Sequence, residues 1–246
     1  MIKLVTWLRK RITNWKSNFL QFSSIFLAVY LGFVADNYRD DKLQKQAERQ
    51  YIISMIKDVE ADNKNAEVVI ADFENRAEGL DTLLQSFHHC VNDSANIYFR
   101  TRKYLTSWED YYPITGTIEQ LRSGGFRLIR SHNALDNITG YYGKTDDLVA
   151  ETNNLRRHFY NTWDAKSKLI DSYLIDSLID EKQFAFEHRP LRNLFLTNDR
   201  AVLNQFFLGI RNVQGGLRYL AKQHKAHIDQ GERLIAALKQ EYDLHE

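Results

Sequence analysis

A run of apolar and small residues near the N-terminus is the most pronounced pattern in the chain. Residues 17–35 contain no acidic or basic side chain, and Lys16 and Asp36 bound the run on its two sides. A helix needs roughly 20 mostly apolar residues to cross the hydrocarbon core of a bilayer. The pattern therefore predicts a single membrane-spanning anchor over residues 17–37, with the lipid bilayer as a partner.

Two alternatives to a permanent anchor are a cleaved signal peptide and a buried helix of a soluble protein. A signal peptidase site needs small residues at both flanking positions, but here Phe33 stands two residues before Ala35. The apolar run is also longer than the apolar region of a usual signal peptide. A retained signal anchor is therefore the favoured interpretation.

The charges before the run predict its orientation. Residues 1–16 carry five basic residues and no acidic one, and apolar residues recur among them at helical spacing. Such a basic amphipathic segment suits the cytoplasmic side of a membrane interface. We expect a single-pass protein of the inner (cytoplasmic) membrane, with its N-terminus cytoplasmic and the rest periplasmic or otherwise extracytoplasmic.

Small and polar residues share one face of the predicted anchor. They follow each other at intervals of three or four, and they are Gln21, Ser24, Ala28, Gly32 and Ala35. Small residues allow close approach of helix backbones in lipid, so the face predicts self-association into a homo-oligomer. Chance is the alternative, because small residues are common in membrane helices.

Beyond the anchor, apolar residues recur in alternating steps of four and three over a predicted long helix, residues 38–90. This heptad seam consists of Ile52, Ile56, Val59, Asn63, Ala66, Ile70, Phe73, Ala77, Leu80, Leu84 and Phe87. Its polar member is Asn63, and a buried asparagine in such a seam often fixes the register between packed helices. The seams of the two later long helices are similar, and the last one weakens at His224, His227 and Gly231.

The rest of the chain predicts shorter helices and then two long ones. Residues 91–142 are expected to form a small helical cap at the distal tip, residues 143–183 a returning helix, and residues 199–243 a C-terminal helix. Three long helices would then alternate in direction, and the loop 184–198 would return to the membrane side. The predicted fold is all-α: a single N-terminal transmembrane helix followed by an elongated antiparallel helical bundle, residues 38–246, with a small helical cap.

Local signals mark several helix ends in this region. Thr115 or Thr117 is placed to cap a short helix that Gly124 and its neighbour stop, and Ser131 is placed to cap a helix that ends before Gly143. Asn198 is the candidate cap of the last helix.

Composition excludes some classes of function. The net charge of +1 argues against a nucleic-acid partner, and the single cysteine, Cys90, excludes an internal disulfide framework. His88, His89 and Cys90, with His224 and His227, are the candidate metal ligands, but the two groups are expected at different heights. No phosphate-binding loop, nucleophile elbow or zinc-protease helix is present. We therefore expect no enzyme activity and no cofactor.

The stretch 115–130 carries a distinctive motif, Glu119-Gln120-Leu121-Arg122-Ser123-Gly124-Gly125. Together with the anchor, it resembles an uncharacterised bacterial family of unknown function. Members of that family have one N-terminal membrane helix, a helical extracytoplasmic region and a Glu-Gln-Leu-x-Ser-Gly-Gly-like motif. The resemblance implies no activity and no catalytic residue.

Basic residues of the predicted cap suggest a surface that binds a partner or an anionic ligand, with ordinary packing and capping as the alternative. They are Arg100, Arg102, Lys103, Arg122, Arg127 and Arg130. The sequence thus favours a non-enzymatic scaffold or subunit of an envelope complex, which self-associates through its anchor and binds a protein partner through its cap. The alternative is an extracytoplasmic sensory or ligand-binding module that signals through a partner.

Overall fold

A computed structural model of the chain describes residues 2–89, 94–106, 108–176, 179–180, 185–186 and 194–244. Its helices are α1 (Ile2–His89), α2 (Ser94–Tyr104), α3 (Gly116–Ser123), α4 (His132–Leu169), α5 (Ser172–Asp176) and α6 (Arg200–Glu241). The strands β1 (Ile179–Asp180) and β2 (Ala185–Phe186) form a short antiparallel pair, in which Ile179 pairs with Phe186. The all-α prediction is confirmed.

The chain divides into two units, Met1–Ile53 and Ser54–Glu246. All described residues of the first unit belong to α1, which is helical from Ile2 onward. The sequence boundaries predicted at residues 16 and 37 are therefore not breaks in the backbone. The same helix continues as the first element of the second unit and is described as far as His89.

Two stripes of α1 are buried between Ile52 and Phe87. Every apolar member of the predicted heptad seam is buried, and Asn63 is half-buried. A second seven-residue stripe, outside the predicted seam, also faces inward: Met55, Asp62, Val69 and Leu83 are buried and Arg76 is half-buried. Helix α1 thus packs on two sides, and the second side carries charged groups.

After α1, the chain turns and runs back along it. Helix α2 comes first, followed by a non-helical segment, here called the α2–α3 connection (residues 105–106 and 108–115). Tyr104 lies against Gly79, the Glu109 N–H donates to Asp72, and the Thr117 N–H donates to Asp58. Residues 91–142 are therefore not a cap at one end, because their described part extends from the Phe87 end of this unit to its Asp58 end.

Helix α4 begins earlier and ends earlier than predicted. The Ser131 hydroxyl caps it by accepting a hydrogen bond from the Ala134 N–H at 3.1 Å. The helix then passes through Gly143 and ends at Leu169, so the predicted stop at Gly143 and the helix over residues 143–183 are wrong. A glycine inside a helix costs only about 1 kcal/mol, and the buried residues on both sides of Gly143 offset that cost.

Helix α6 runs antiparallel to both α1 and α4. Arg218, Lys225 and Lys239 pair with acidic residues at successively earlier positions of α1: Asp81, Glu74 and Glu60. Towards α4, Thr145 contacts His227 and Asn133 contacts Glu241. Its N-cap is Asp199, which accepts from the Ala201 N–H at 2.7 Å, rather than Asn198.

The direction predicted for the C-terminal helix is therefore wrong. The prediction counts only the three long helices as segments that run the length of the bundle. The α2–α3 connection is a fourth such segment, so α4 and α6 run in the opposite directions to those predicted. Leu194 donates its N–H to the Ser94 hydroxyl, and Phe206 packs on Phe87. Residues 194–198 of the loop 184–198 thus lie at the Phe87 end, the opposite end from the one expected.

Candidate functional site

The apolar stretch of α1 is exposed along its length. Within the described residues, α1 is the one helix long and apolar enough to cross a membrane, with a mean hydropathy of 1.6 in its best window. None of that window is buried, and side chains such as Phe22, Phe26 and Phe33 are exposed by more than half. This continuous exposed apolar surface makes the stretch a candidate membrane span.

The small-residue face of this stretch is exposed. All five positions, Gln21, Ser24, Ala28, Gly32 and Ala35, are exposed. A Cβ atom placed on Gly32 would meet no atom within 4 Å. The Ser24 hydroxyl donates to the Gln21 carbonyl at 2.9 Å, so its hydrogen-bonding need is met within the helix.

The basic residues predicted as one cap surface lie in two separate places. Arg100, Arg102 and Lys103 belong to α2, whose end packs beside Gly79 of α1. The other three, Arg122, Arg127 and Arg130, lie in or after α3, and the start of α3 is held beside Asp58. The interval from Asp58 to Gly79 corresponds to about 32 Å of helix at 1.5 Å per residue, so the six residues do not form one site.

The basic residues near α3 and those on α2 have different neighbouring side chains. Arg122 is paired with Glu119 at 2.8 Å and with Asp146 at 3.4 Å, so part of the charge near α3 is neutralised. Near α2, the ammonium of Lys166 lies 3.6 Å from the centre of the Trp163 ring. Burial, and then the nearby Arg102, lower the pKa of Lys166 to about 8, although the Trp163 face opposes this by attracting the cation. Sequence reasoning missed Lys166, because nothing in the α4 pattern brings it to α2.

A cluster of buried polar side chains, here called the buried polar layer, lies inside the second unit. It joins α1, the α2–α3 connection, α4 and α6. Several of its polar atoms have no hydrogen-bond partner in the described structure, and such atoms are rare in protein interiors. Its members are Asp62, Tyr111, Tyr141, Tyr142, His224 and His227.

Asp62 is the acidic member of this layer and is only 1% exposed. Its Oδ1 accepts a hydrogen bond from the Ile114 N–H at 2.7 Å, whereas its Oδ2 has no partner. Burial raises the pKa of Asp62 to about 6; the Ile114 bond lowers it and the nearby Asp58 raises it further. The carboxyl group therefore titrates close to neutral pH.

The two histidines of the layer are held among aromatic rings. His224 is 0% exposed, packs edge-on against Tyr111 at 4.9 Å, and has no hydrogen-bond partner on either nitrogen. His227 stacks on Tyr141 at 4.3 Å, and its Nε2 lies 3.0 Å from the Thr145 hydroxyl. That hydroxyl donates to the Tyr141 carbonyl, so it accepts from Nε2–H and leaves Nδ1 as the free nitrogen of His227.

Burial lowers the pKa of both histidines to about 4; for His227, the neighbouring His224 and Lys144 add to the effect. Burial also raises the pKa of the three tyrosines far above its ordinary value. At neutral pH the layer therefore holds neutral imidazoles and phenols around one carboxylate. The predicted weakening of the seam at His224 and His227 does not occur, because both are fully buried.

Metal binding receives no support from the described residues, among which no group of three or more histidine, cysteine or acidic side chains could hold an ion. Of the candidate ligands, Cys90 and the side chains of His88 and His89 lie outside the described part.

Comparison of the chain with protein-family models, curated proteins and solved structures found no match. Any statement about function therefore rests on the exposed apolar stretch and on the contacts within the second unit.

Proposed function

We propose that the chain is a non-enzymatic, single-pass membrane protein that serves as a scaffold or subunit of a bacterial envelope complex. The observation that carries this proposal is the exposed apolar stretch of α1, which no described residue covers. The basic segment before it supports a cytoplasmic N-terminus, with the second unit outside the inner membrane. The Ser54–Glu246 unit would be an antiparallel bundle of four passes.

Charge insertion tests the anchor. The double substitution Leu27→Lys with Leu31→Lys adds two cations to the stretch, at about 3 kcal/mol each in the middle of a bilayer. We expect the variant to leave the membrane fraction during an alkaline wash, which the natural chain resists. Leu43→Lys is the matched control, because Leu43 is an exposed leucine of the same helix outside the stretch. Release of the natural chain, or equal release of the control, would contradict the proposal.

Self-association through the small-residue face is the second part of the proposal. A leucine in place of Gly32 would block close approach of two helices, whereas Val34→Leu adds bulk on another face. We expect crosslinking and native mass spectrometry in detergent to show oligomers for the natural chain and for the Val34 variant, and mainly monomers for Gly32→Leu. A strictly monomeric natural chain would refute this part.

Partner binding is proposed to use the basic residues of α2 together with Lys166 of α4, whose ammonium lies 5.5 Å from the centre of the Tyr98 ring of α2. The proposed partner is an acidic protein surface that meets Arg102, Lys103 and Lys166. We expect Lys103→Glu to abolish capture of a protein from solubilised membranes that the natural chain retains. The reversal Arg127→Glu, on an exposed residue after α3, should leave capture unchanged, and equal loss in both variants would contradict the assignment.

The alternative function is a sensory or ligand-binding module. The observation that favours it is a groove of 470 Å³ between α4 and α6, lined by Glu151, Asn154, His158, Asn212 and Tyr219, among others. A screen of small polar molecules by thermal shift, repeated with Tyr219→Ala, tests it. Stabilisation of the natural chain that is lost in the variant would favour this alternative over the scaffold.

A further inference from the structure

We propose that the buried polar layer makes the second unit acid-sensitive: it holds the α2–α3 connection and the start of α3 against α1 at neutral pH, and it releases them when its histidines take up protons. This inference concerns the internal behaviour of the second unit. It does not depend on what the chain anchors to or binds.

Three contacts hold residues 111–117 in place, and two of them belong to the layer. The Asp62 carboxylate accepts a hydrogen bond from the Ile114 N–H, and the ring of Tyr111 packs on His224. The third contact lies beside the layer, where the Asp58 carboxylate accepts a hydrogen bond from the N–H of Thr117, in the first turn of α3, at 3.3 Å. Since the connection is not helical, its backbone groups depend on such side-chain partners. Loss of the layer would therefore free this stretch before it frees the long helices.

Protonation of the histidines is incompatible with the closed layer. His224 lies between the rings of Phe73 and Tyr111, where an added proton finds no acceptor among the described residues. The free Nδ1 of His227 is in the same situation. Two buried cations would face one carboxylate, Asp62, which itself becomes neutral in acid. An imidazolium can form at low cost only where water reaches it, so proton uptake favours the open arrangement.

The charged and titratable groups that face the layer come from every element packed against it. They are Asp58 and Asp62 on α1, Tyr111 on the connection, Arg122 on α3, Tyr141, Tyr142 and Lys144 on α4, and His224 and His227 on α6. Arg122 and Lys144 are cations, so they do not compensate a histidine charge. The tyrosines stay protonated throughout the acid range.

The expected size of the effect follows from proton linkage. Each histidine that is neutral when closed and charged when open favours opening about tenfold per pH unit between its pKa of 6.5 in solvent and about 4 in the layer. Asp62 opposes opening about tenfold per unit between its raised pKa of about 6 and 3.8, because the closed layer binds its proton more tightly. The net expectation is roughly a tenfold increase in opening per pH unit below about pH 6.

Hydrogen exchange of the full chain in detergent tests the proposal, with rates corrected for the intrinsic pH dependence of exchange. Protection of residues 108–117 should fall about tenfold per unit between about pH 6 and 4.5. Residues 203–213 of α6, at the Phe87 end, serve as the internal reference. Equal loss of protection in the reference would mean global unfolding and would overturn the proposal, as would protection of residues 108–117 that does not change with pH.

Two variants change the slope in opposite directions. Asp62→Asn removes the group that opposes opening, so the increase in opening should approach a hundredfold for each pH unit of acidification. His224→Phe with His227→Gln removes both proton acceptors, so acid should increase protection instead. His158→Gln, an exposed histidine of α4, is the control and should match the natural chain. If the histidine variant does not fold, an Asp62→Asn slope equal to that of the natural chain is sufficient to overturn the proposal.

Discussion

Gly79→Ala is the sharpest test of how α2 folds back on α1. The face of the Tyr104 ring lies against Gly79, and a Cβ there would come within 2.2 Å of Cδ1 and within 2.3 Å of Cε1 and Cγ. Carbon atoms that are not bonded to each other do not approach so closely. Since several ring atoms are involved, a small side-chain rotation does not relieve the overlap, and α2 itself must move away from α1.

The magnitude follows from two opposing terms. Alanine in place of glycine inside a helix stabilises by about 1 kcal/mol. Overpacking in a well-packed site costs typically 1–3 kcal/mol, and this contact is at the severe end. We expect net destabilisation by about 1–2 kcal/mol. Gly143→Ala, where a Cβ meets nothing within 4 Å, should instead stabilise by up to about 1 kcal/mol.

Equilibrium urea unfolding of the full chain in a mild detergent, followed by far-ultraviolet circular dichroism, measures both effects. A double-mutant cycle with Tyr104→Ala isolates the contact. In the Tyr104→Ala background, Gly79→Ala should become stabilising, as Gly143→Ala is in the natural chain. If Gly79→Ala stabilises the natural chain as much as Gly143→Ala does, α2 does not pack on α1 at this position.

Three further predictions concern helix capping, helix packing and pH. Asp199→Ala should cost about 1 kcal/mol by removing the N-cap of α6, whereas Asn198→Ala should cost little, as urea unfolding can show. Gly216→Ala should destabilise by about 1 kcal/mol, because its Cβ would lie 2.3 Å from a leucine methyl of α4; the neighbouring Gly215→Ala, in open space, should stabilise. The pKa of Asp62 is raised from 3.8 to about 6, so its contribution to stability is present below 3.8 and lost as pH rises through about 6. The stability of Asp62→Asn relative to the natural chain should therefore increase by about 2.5 kcal/mol from pH 4 to 7.5, and a pH-independent difference would contradict this.

Periodicity was sufficient to predict that three long helices exist and much of their buried faces, but not where α4 begins and ends. The seam from Ile52 to Phe87 is buried because its spacing matches one side of a helix, and that spacing is local information. The apolar stretch before it was found for the same reason. Caps were predicted where a single local signal stood alone, as at Ser131, and were misplaced where two adjacent residues competed, as at Asn198 and Asp199.

The order of packing could not be predicted, because it depends on a segment without periodicity. The α2–α3 connection has neither a helical nor a strand pattern, so no local signal indicates that it spans the distance from Gly79 to Asp58. The candidate basic surface failed for the same reason: Arg102 and Arg127 are close in sequence, but the connection separates them. Lys166 reaches α2 only through that packing.

The charged residues on the inner side of α1 explain why a non-helical pass is tolerated among long helices. A helix satisfies its own backbone, whereas an extended segment leaves N–H groups that must find acceptors. Asp72, Asp62 and Asp58 accept the N–H groups of Glu109, Ile114 and Thr117 in turn, so three carboxylates of one helix replace the partners that a neighbouring strand would supply. In the sequence these residues look like ordinary polar positions beside an apolar seam. Asp62 is the most deeply buried of the three and belongs to the same buried polar layer as His224 and His227. The requirement for backbone partners therefore accounts for the carboxylate in this layer, and proton uptake by that carboxylate opposes the opening that we propose for the histidines.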